Sequence, residues 1–196
     1  MVFRKSVSLD PKEEAYVRRV RRQPIFNSKR NDFKRKQGRL DSKKIPGLLS
    51  QVRGLCESNW PSLRVSDAVA LESLRGCKEQ APHSDYDPEA LRSLEGSEGT
   101  EVPRGLVVAL DEGETRLEVW PGSHLPRGGR GIRKKTLRLS KGDAVAFRGD
   151  LVHAGSSYPS GPNFRAHFYL DHDQCPRSPN RTYRVQPGDG RVFPAA

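Results

Sequence analysis

The chain has 196 residues, of which 34% are hydrophobic and 30% charged, and its formal net charge is +11. This length suits one or two domains, and without a run of about 18 apolar residues the sequence predicts no membrane-spanning helix. Residues 1–44 contain 15 Lys and Arg against 5 Asp and Glu, a net of +10, whereas residues 45–196 have a net of +1. We therefore divide the chain into a basic arm, residues 1–44, and a nearly neutral body.

The cysteines and the N-terminal residues indicate the compartment. Cys56, Cys77 and Cys175 are odd in number and form no CxxC pair, which favours a reducing compartment over a disulfide scaffold. The N-terminal residues lack the apolar stretch of a secretory signal, and their early acidic residues argue against a mitochondrial transit peptide. We expect a cytoplasmic or nuclear protein.

Helical elements are predicted before the first strand of the body. The residues from Ser8 to about Gln23 favour a helix, because Ser8 or Asp10 can accept hydrogen bonds at its start and Pro11 suits its first turn. A shorter amphipathic element is predicted from Ile45 to about Leu55. The body therefore has a helical lead-in.

Between these elements, residues 24–44 carry basic clusters around Phe26 and Phe33 with no clear period, which indicates loop, short helix or disorder. Three interpretations of the basic arm stay open. In the first, it contacts nucleic acid or another acidic partner through its Lys and Arg. In the second, it is a nuclear-localisation segment, for which KRNDFKRK is a fair match. In the third, it is a solvated tail.

From Arg64 onward the sequence reads as short strands between Gly, Pro and acidic turns. The predicted strands are Val65–Leu74, Gly76–Tyr86, Gly105–Asp111, Thr115–Pro121, Lys135–Leu139, Asp143–Arg148, Leu151–Tyr158 and Phe164–Asp171. This pattern predicts a mainly β domain over residues 45–171, a jelly roll or barrel. Residues 87–103 are interpreted as a loop with at most one helical turn, and residues 172–196 as a tail that wraps the surface or is loose.

One set of residues carries metal chemistry. His83 and Asp85 are two apart on a predicted strand, so both side chains face the same side. His153 follows in a later strand, and Arg165 lies beyond the turn PSGPN. A hairpin about residue 159 would bring His153 opposite Arg165. Two histidines and one carboxylate form the facial triad of non-haem Fe(II) oxygenases, and arginine suits a carboxylate-bearing organic acid.

Four motifs lie between about Cys77 and Asp171: PHSDY (82–86), WPGSH (120–124), KGDAVAFRGDLVHAG (141–155) and NFRAHFYLD (163–171). Through these motifs, this stretch resembles the 2-oxoglutarate- and Fe(II)-dependent oxygenase superfamily. The phytanoyl-CoA hydroxylase and prolyl-hydroxylase-like branches of that superfamily are the most similar. The resemblance implies a double-stranded β-helix and a dioxygenase that hydroxylates, or oxidatively demethylates, an unidentified substrate.

The resemblance also implies the ligands of the site. His83, Asp85 and His153 match the iron ligands, and Arg165 matches the residue that binds the distal carboxylate of 2-oxoglutarate. The implied cofactors are Fe(II), 2-oxoglutarate and dioxygen, with ascorbate as a stimulating reductant. The alternative is a non-catalytic, metal-holding β domain with a nucleic-acid-binding basic arm.

Four aromatic positions and one further histidine complete the candidates. Tyr86 and Trp120 are expected to flank the cavity mouth, where each either stacks on a substrate ring or packs in the core. His167 shares the strand face of Arg165 and is either a contact for 2-oxoglutarate or substrate, or a hydrogen-bonded interior residue. Phe164 and Phe168 share the opposite face and are expected to pack outside the barrel against helical elements.

Overall fold

The computed structural model describes residues 3–20, 22–24, 34–95, 100–125, 132–175, 177, 182–185 and 192–194. Residues 25–33, which contain Phe26, Phe33 and part of the predicted basic clusters, and parts of the C-terminal tail lie outside the described residues. Within the described ranges, no helix has the length and apolar character needed to cross a lipid bilayer.

Short strands dominate the described chain, as the turn-rich sequence predicts. The strands are β1 (Phe3–Ser6), β2 (Gln23–Pro24), β3 (Arg35–Arg39), β4 (Arg64–Ser73), β5 (His83–Ser84), β6 (Arg104–Ala109), β7 (Thr115–Val119), β8 (Lys135–Leu139), β9 (Asp143–Arg148), β10 (His153–Gly155), β11 (Asn163–Asp171), β12 (Tyr183–Val185) and β13 (Val192–Pro194). The helices are α1 (Pro11–Arg19), α2 (Pro46–Asn59) and α3 (Pro88–Glu95), with a 3-10 turn at Ser42–Lys44 before α2.

The described strands form two antiparallel sheets. One has seven strands in the order β1-β9-β6-β11-β4-β3-β2, and the other has six in the order β13-β12-β5-β10-β7-β8. Both sheets contribute residues to one internal cavity. The predicted mainly β, jelly-roll class is confirmed.

Strand β11 runs through the middle of the larger sheet and separates a hydrophobic core from the cavity. Phe164 and Phe168 are buried on its outer side, in a cluster with residues of α2 such as Leu48. Arg165 and His167 line the cavity on its other side. The period-two prediction for this strand is confirmed on both faces.

Two carboxylates fix the starts of the first two helices. Asp10 begins α1, and its Oδ1 accepts hydrogen bonds from the backbone N–H of Lys12 at 2.8 Å and of Glu13 at 3.4 Å. The Glu13 side chain in turn accepts from the N–H of Gly47 at 2.6 Å and of Leu48 at 3.0 Å, at the start of α2. Because the first N–H groups of a helix lack internal partners, Glu13 caps α2 from a neighbouring helix.

The described parts of residues 1–44 lie within the fold, although composition sets them apart as a basic arm. Strand β1 pairs with β9, and β3 pairs with β4. Val17 of α1 and Leu40 after β3 are buried in the same cluster as α2. Buried apolar side chains and strand pairing therefore attach residues 1–44 to the body. The net charge of the segment does not show this attachment.

Several predicted segments differ from the structure. The predicted strand Leu151–Tyr158 is shorter, with only β10 and an isolated bridge at Tyr158, and residues 24–44, expected as loop, short helix or disorder, contain β3. The predicted strand Gly76–Tyr86 contains only β5 and an isolated bridge at Cys77. Residues 87–103, expected as a loop with at most one helical turn, contain the longer helix α3, in which Leu91 and Leu94 lie three apart and are buried on one side. In the tail, residues 172–196, β12 pairs with β5, so part of it belongs to the smaller sheet.

Candidate metal centre

Two histidines on neighbouring strands form the base of the site. His83 of β5 and His153 of β10 are direct partners across the strands, with ring centroids 4.5 Å apart. Nδ1 of His83 lies 2.9 Å from the carbonyl oxygen of Ala81, and Nδ1 of His153 lies 3.0 Å from that of Leu151. Because a carbonyl only accepts, each Nδ1 carries the proton and each Nε2 keeps a lone pair. This is the tautomer that binds a metal through Nε2.

Asp85 lies directly after β5, where its backbone N–H donates to the carbonyl of Gly149 at 3.1 Å. Its Oδ2 is 3.6 Å from Nε2 of His153 and has no hydrogen-bond partner in the described part of the chain. The donor atoms of His83, Asp85 and His153 all lie within 4.8 Å of one another. A buried carboxylate oxygen without a partner is unfavourable, and a divalent cation between these donors would satisfy it.

Burial determines the charge of the two imidazoles. It lowers the pKa of His83 and of His153 to about 4, so both rings are neutral near pH 7. Neutral imidazoles are the form that ligates metals. Two imidazole nitrogens and one carboxylate oxygen on one side of a cation leave its other coordination positions open, which fits Fe(II).

Arg165 of β11 provides a positive charge in the same cavity. The residue is 3% exposed, and its Nη1 donates to Oγ of Ser73 at 3.1 Å and to Oδ1 of Asn163 at 3.4 Å. Burial lowers the pKa of Arg165 to about 10, which leaves the guanidinium charged near pH 7. A buried, charged guanidinium is suited to bind a carboxylate.

The predicted hairpin between His153 and Arg165 is wrong. His153 lies on β10, which pairs with β5 and β7, whereas Arg165 lies on β11, which pairs with β4 and β6. The turn between them joins two sheets rather than two paired strands. Both residues nevertheless line one cavity, because the sheets face each other across it.

The cavity contains most of the predicted site residues. It is lined by Gln37, Leu71, Gln80, His83, Asp85, Val107, Leu117, His153, Gly155, Arg165, His167, Tyr169 and Thr182. Of the residues singled out from the sequence, Tyr86 and Trp120 do not contribute to this lining. The structure therefore brings together the three metal-ligand candidates, the arginine and the third histidine.

Tyr86 and Trp120 pack in the core instead of flanking the cavity mouth. Tyr86 is 2% exposed, its ring lies in a cluster with Leu91, and its hydroxyl donates to the Asp171 carboxylate. Trp120 is 8% exposed and packs with Val152. Of the two alternatives that the sequence left open for these residues, core packing fits their burial and their neighbours.

One residue that lines the cavity and one that lies beside it were not predicted from the sequence. Tyr169 lines the cavity, and its ring stacks on His167 with centroids 4.4 Å apart. The period of two along β11 was the signal that could have found it. Arg35 is fully buried, and its Nη2 donates to the carbonyls of Gly155 at 3.0 Å and Ser156 at 2.7 Å. Its position within a basic cluster gave no sign of burial.

Comparison with known proteins bears on the fold. No family model matches the chain, and no curated protein matches it. Solved structures do match. They include the non-haem α-ketoglutarate-dependent epimerase SnoN from nogalamycin biosynthesis, with 18% identity, TM-score 0.64 and coverage of 91% of this chain and 80% of that one.

The related carbocyclase SnoK matches at 15% identity over 96% of this chain and 83% of its own, with TM-score 0.61. HygX from Streptomyces hygroscopicus matches at 11% identity over 88% of this chain and 83% of its own, with TM-score 0.58. This chain therefore shares the jelly-roll fold of these solved structures. The fold that the motif resemblance implies is thus confirmed.

Proposed function

We propose that this protein is an Fe(II)- and 2-oxoglutarate-dependent dioxygenase that hydroxylates, or oxidatively demethylates, a small organic substrate. The observation that carries the proposal is the convergence of His83, Asp85 and His153, whose donor atoms lie within 4.8 Å of one another. Both imidazoles have Nδ1 bound to a backbone carbonyl, which leaves Nε2 for the metal.

Each part of the cavity has a role in this proposal. His83, Asp85 and His153 hold iron, and Arg165 binds the distal carboxylate of 2-oxoglutarate through its guanidinium. Iron with bound 2-oxoglutarate supplies the activation of dioxygen, with succinate and carbon dioxide as coproducts. Apolar side chains such as Leu117 form part of the wall around these groups.

A small-molecule substrate is supported by the ligands named for two structural neighbours. SnoN was solved with Fe3+, α-ketoglutarate and nogalamycin RO, and HygX with nickel, 2-oxoglutarate and hygromycin B. The cavity of the present chain contains three residues that could hold a metal, His83, Asp85 and His153. A nucleic-acid or acidic partner of the basic arm stays a prediction.

Anaerobic titration with Fe(II), followed by 2-oxoglutarate, tests the metal centre. We expect the wild type to bind Fe(II) and then to develop the visible charge-transfer absorption of chelated 2-oxoglutarate. His83→Ala and Asp85→Ala each remove a ligand, so their Fe(II) affinity should fall by more than the roughly 10- to 100-fold typical of outer-sphere changes. His172→Ala is the matched control, because His172 is not among the cavity-lining residues.

A wild-type protein that binds no Fe(II) would overturn the proposal. Where Fe(II) and 2-oxoglutarate both bind, succinate release with ascorbate and a substrate library identifies the substrate class. The library compares glycosylated small molecules, nucleosides, free amino acids, peptides and nucleic acids. Iron binding without 2-oxoglutarate binding would favour the metal-holding domain without turnover.

A further inference from the structure

His167 is a third histidine in the cavity, and the proposed ligand set does not use it. It lies two residues after Arg165 on β11 and is 5% exposed. Its Nε2 is 3.4 Å from Oδ2 of Asp85, and neither atom has a hydrogen-bond partner among the described residues. Two buried polar atoms thus face each other slightly beyond ordinary hydrogen-bond distance.

The packing around His167 holds its ring in this place. Tyr169 stacks on it with centroids 4.4 Å apart and an interplanar angle of 25°. Phe147 approaches from a second side, with centroids 6.1 Å apart. Gly105 of β6 leaves the necessary space, because a Cβ atom there would lie 2.9 Å from Nε2 of His167. The ring has little freedom to turn away from the carboxylate.

His167 is placed differently from the proposed ligands. The donor atoms of His83, Asp85 and His153 form a group within 4.8 Å, and within the described ranges His167 does not join it. The Nε2 atom of His167 is instead next to the Asp85 carboxylate. This arrangement favours a contact of His167 with the Asp85 carboxylate over a direct bond from His167 to the metal.

We propose that His167 is a positioning residue that donates an Nε2–H hydrogen bond to the Asp85 carboxylate when the metal is bound. The inference rests on the proposed function. A carboxylate that binds a metal keeps lone pairs for further hydrogen bonds, and such outer-sphere bonds fix the orientation of the ligand. A short movement from 3.4 Å would give a charge-assisted bond. His167 would then hold Asp85 against rotation.

Anaerobic Co(II) titration of the full-length protein tests this role, with Co(II) as the probe metal. His167→Leu removes the donor, so we expect the Co(II) dissociation constant to rise about 10- to 100-fold. His167→Gln carries an amide N–H near the position of Nε2 and should restore most of the affinity. His167→Asn is too short to reach the carboxylate and serves as a second loss variant. His124→Leu is the control, because His124 is not among the cavity-lining residues.

The visible absorption spectrum of bound Co(II) separates positioning from ligation. A positioning residue leaves the number of ligands unchanged, so band intensities should be similar in the wild type and in His167→Leu, while band positions shift. A change of coordination number in His167→Leu would make His167 a ligand and overturn the inference.

The same titrations separate this inference from the proposed function. If the wild type binds neither Co(II) nor Fe(II), both fail together. A different result would overturn only the role of His167. In that case the wild type binds both metals, and His167→Leu or His167→Asn has the wild-type unfolding temperature and the wild-type dissociation constant for Co(II).

Discussion

At the residue scale, one buried serine connects two guanidinium groups beside the cavity. Oγ of Ser73 accepts from Nη1 of Arg35 at 2.9 Å and from Nη1 of Arg165 at 3.1 Å. Burial is the main cause of the lowered Arg165 pKa, and the nearby positive charge of Arg35 adds to it. This end of the cavity is therefore rich in positive charge, which favours an anionic group of the cosubstrate.

Replacement of Arg165 should affect 2-oxoglutarate more than iron. Arg165→Ala leaves the distal carboxylate without its charged partner, and a hydrogen bond to a charged group is worth about 1.5–3 kcal/mol. We expect the 2-oxoglutarate concentration for half-maximal succinate release to rise roughly 10- to 100-fold. Arg165→Lys keeps the charge but lacks the two-pronged donor, so it should lie between the wild type and Arg165→Ala.

Anaerobic Fe(II) titration is the control for these two variants, since Arg165 is not in the proposed ligand set. A normal 2-oxoglutarate requirement in a folded Arg165→Ala variant would contradict the assigned role.

At the element scale, the period of two predicted which side of a strand each residue faces better than it predicted which strands pair. Strands β8 and β9 have the predicted bounds, and between them Gly142 adopts a φ of 83°, which suits glycine in the tight turn. Along β11 the period of two separated Phe164 and Phe168 from Arg165 correctly. The same period says nothing about which strand lies alongside, so the expected pairing of His153 with Arg165 was wrong.

The metal-ligand candidates were within reach of sequence reasoning because their residue types and order are specific. Arg35 was not, because burial of one basic residue among many depends on tertiary packing that local pattern does not encode. Tyr86 illustrates a second limit. Its position beside the His83 and Asp85 pair suggested the cavity, whereas the structure buries its ring against α3.

Two glycines of α2 provide a prediction about stability. Gly54 is exposed in the helix with no atom within 4 Å of an added Cβ, so Gly54→Ala should raise the free energy of unfolding by about 0.5–1 kcal/mol. At Gly47 the added Cβ would lie 3.2 Å from both carboxylate oxygens of Glu13, which caps the helix. Gly47→Ala should therefore gain less or destabilise.

Urea unfolding followed by circular dichroism measures both variants. An equal gain from Gly47→Ala and Gly54→Ala would show that the Glu13 cap tolerates the extra methyl group, contrary to this expectation.

At the scale of the whole molecule, the basic arm forms ion pairs with the body. Arg18 lies 2.9 Å from the carboxylate of Asp111, and Arg22 lies 3.0 Å from that of Glu72. Net charge alone suggested a free segment, because composition does not show where the counter-charges are. Contact of residues 1–44 with nucleic acid stays a prediction. It would involve basic residues of this segment other than Arg18 and Arg22.

Deletion of residues 1–44 should disrupt the fold rather than release an intact oxygenase domain. The deletion removes β1, α1 and β3, and with them the buried side chains of Val17 and Leu40. Burying two such side chains contributes roughly 3–6 kcal/mol. That is a large fraction of the roughly 5–15 kcal/mol by which folded domains are stable. The loss of Arg35 would also remove hydrogen bonds to Gly155 beside the cavity.

Thermal unfolding by circular dichroism tests this expectation, and we expect the truncated chain to lose its cooperative transition. Lys43→Ala with Lys44→Ala is the matched control, because both side chains are exposed and their loss lowers the positive charge without removing a strand. The control should unfold near the wild-type temperature. A truncated chain that unfolds cooperatively at that temperature, and binds Fe(II) normally, would show that residues 45–196 form an independent domain and that the pairing of β1 and β3 is dispensable.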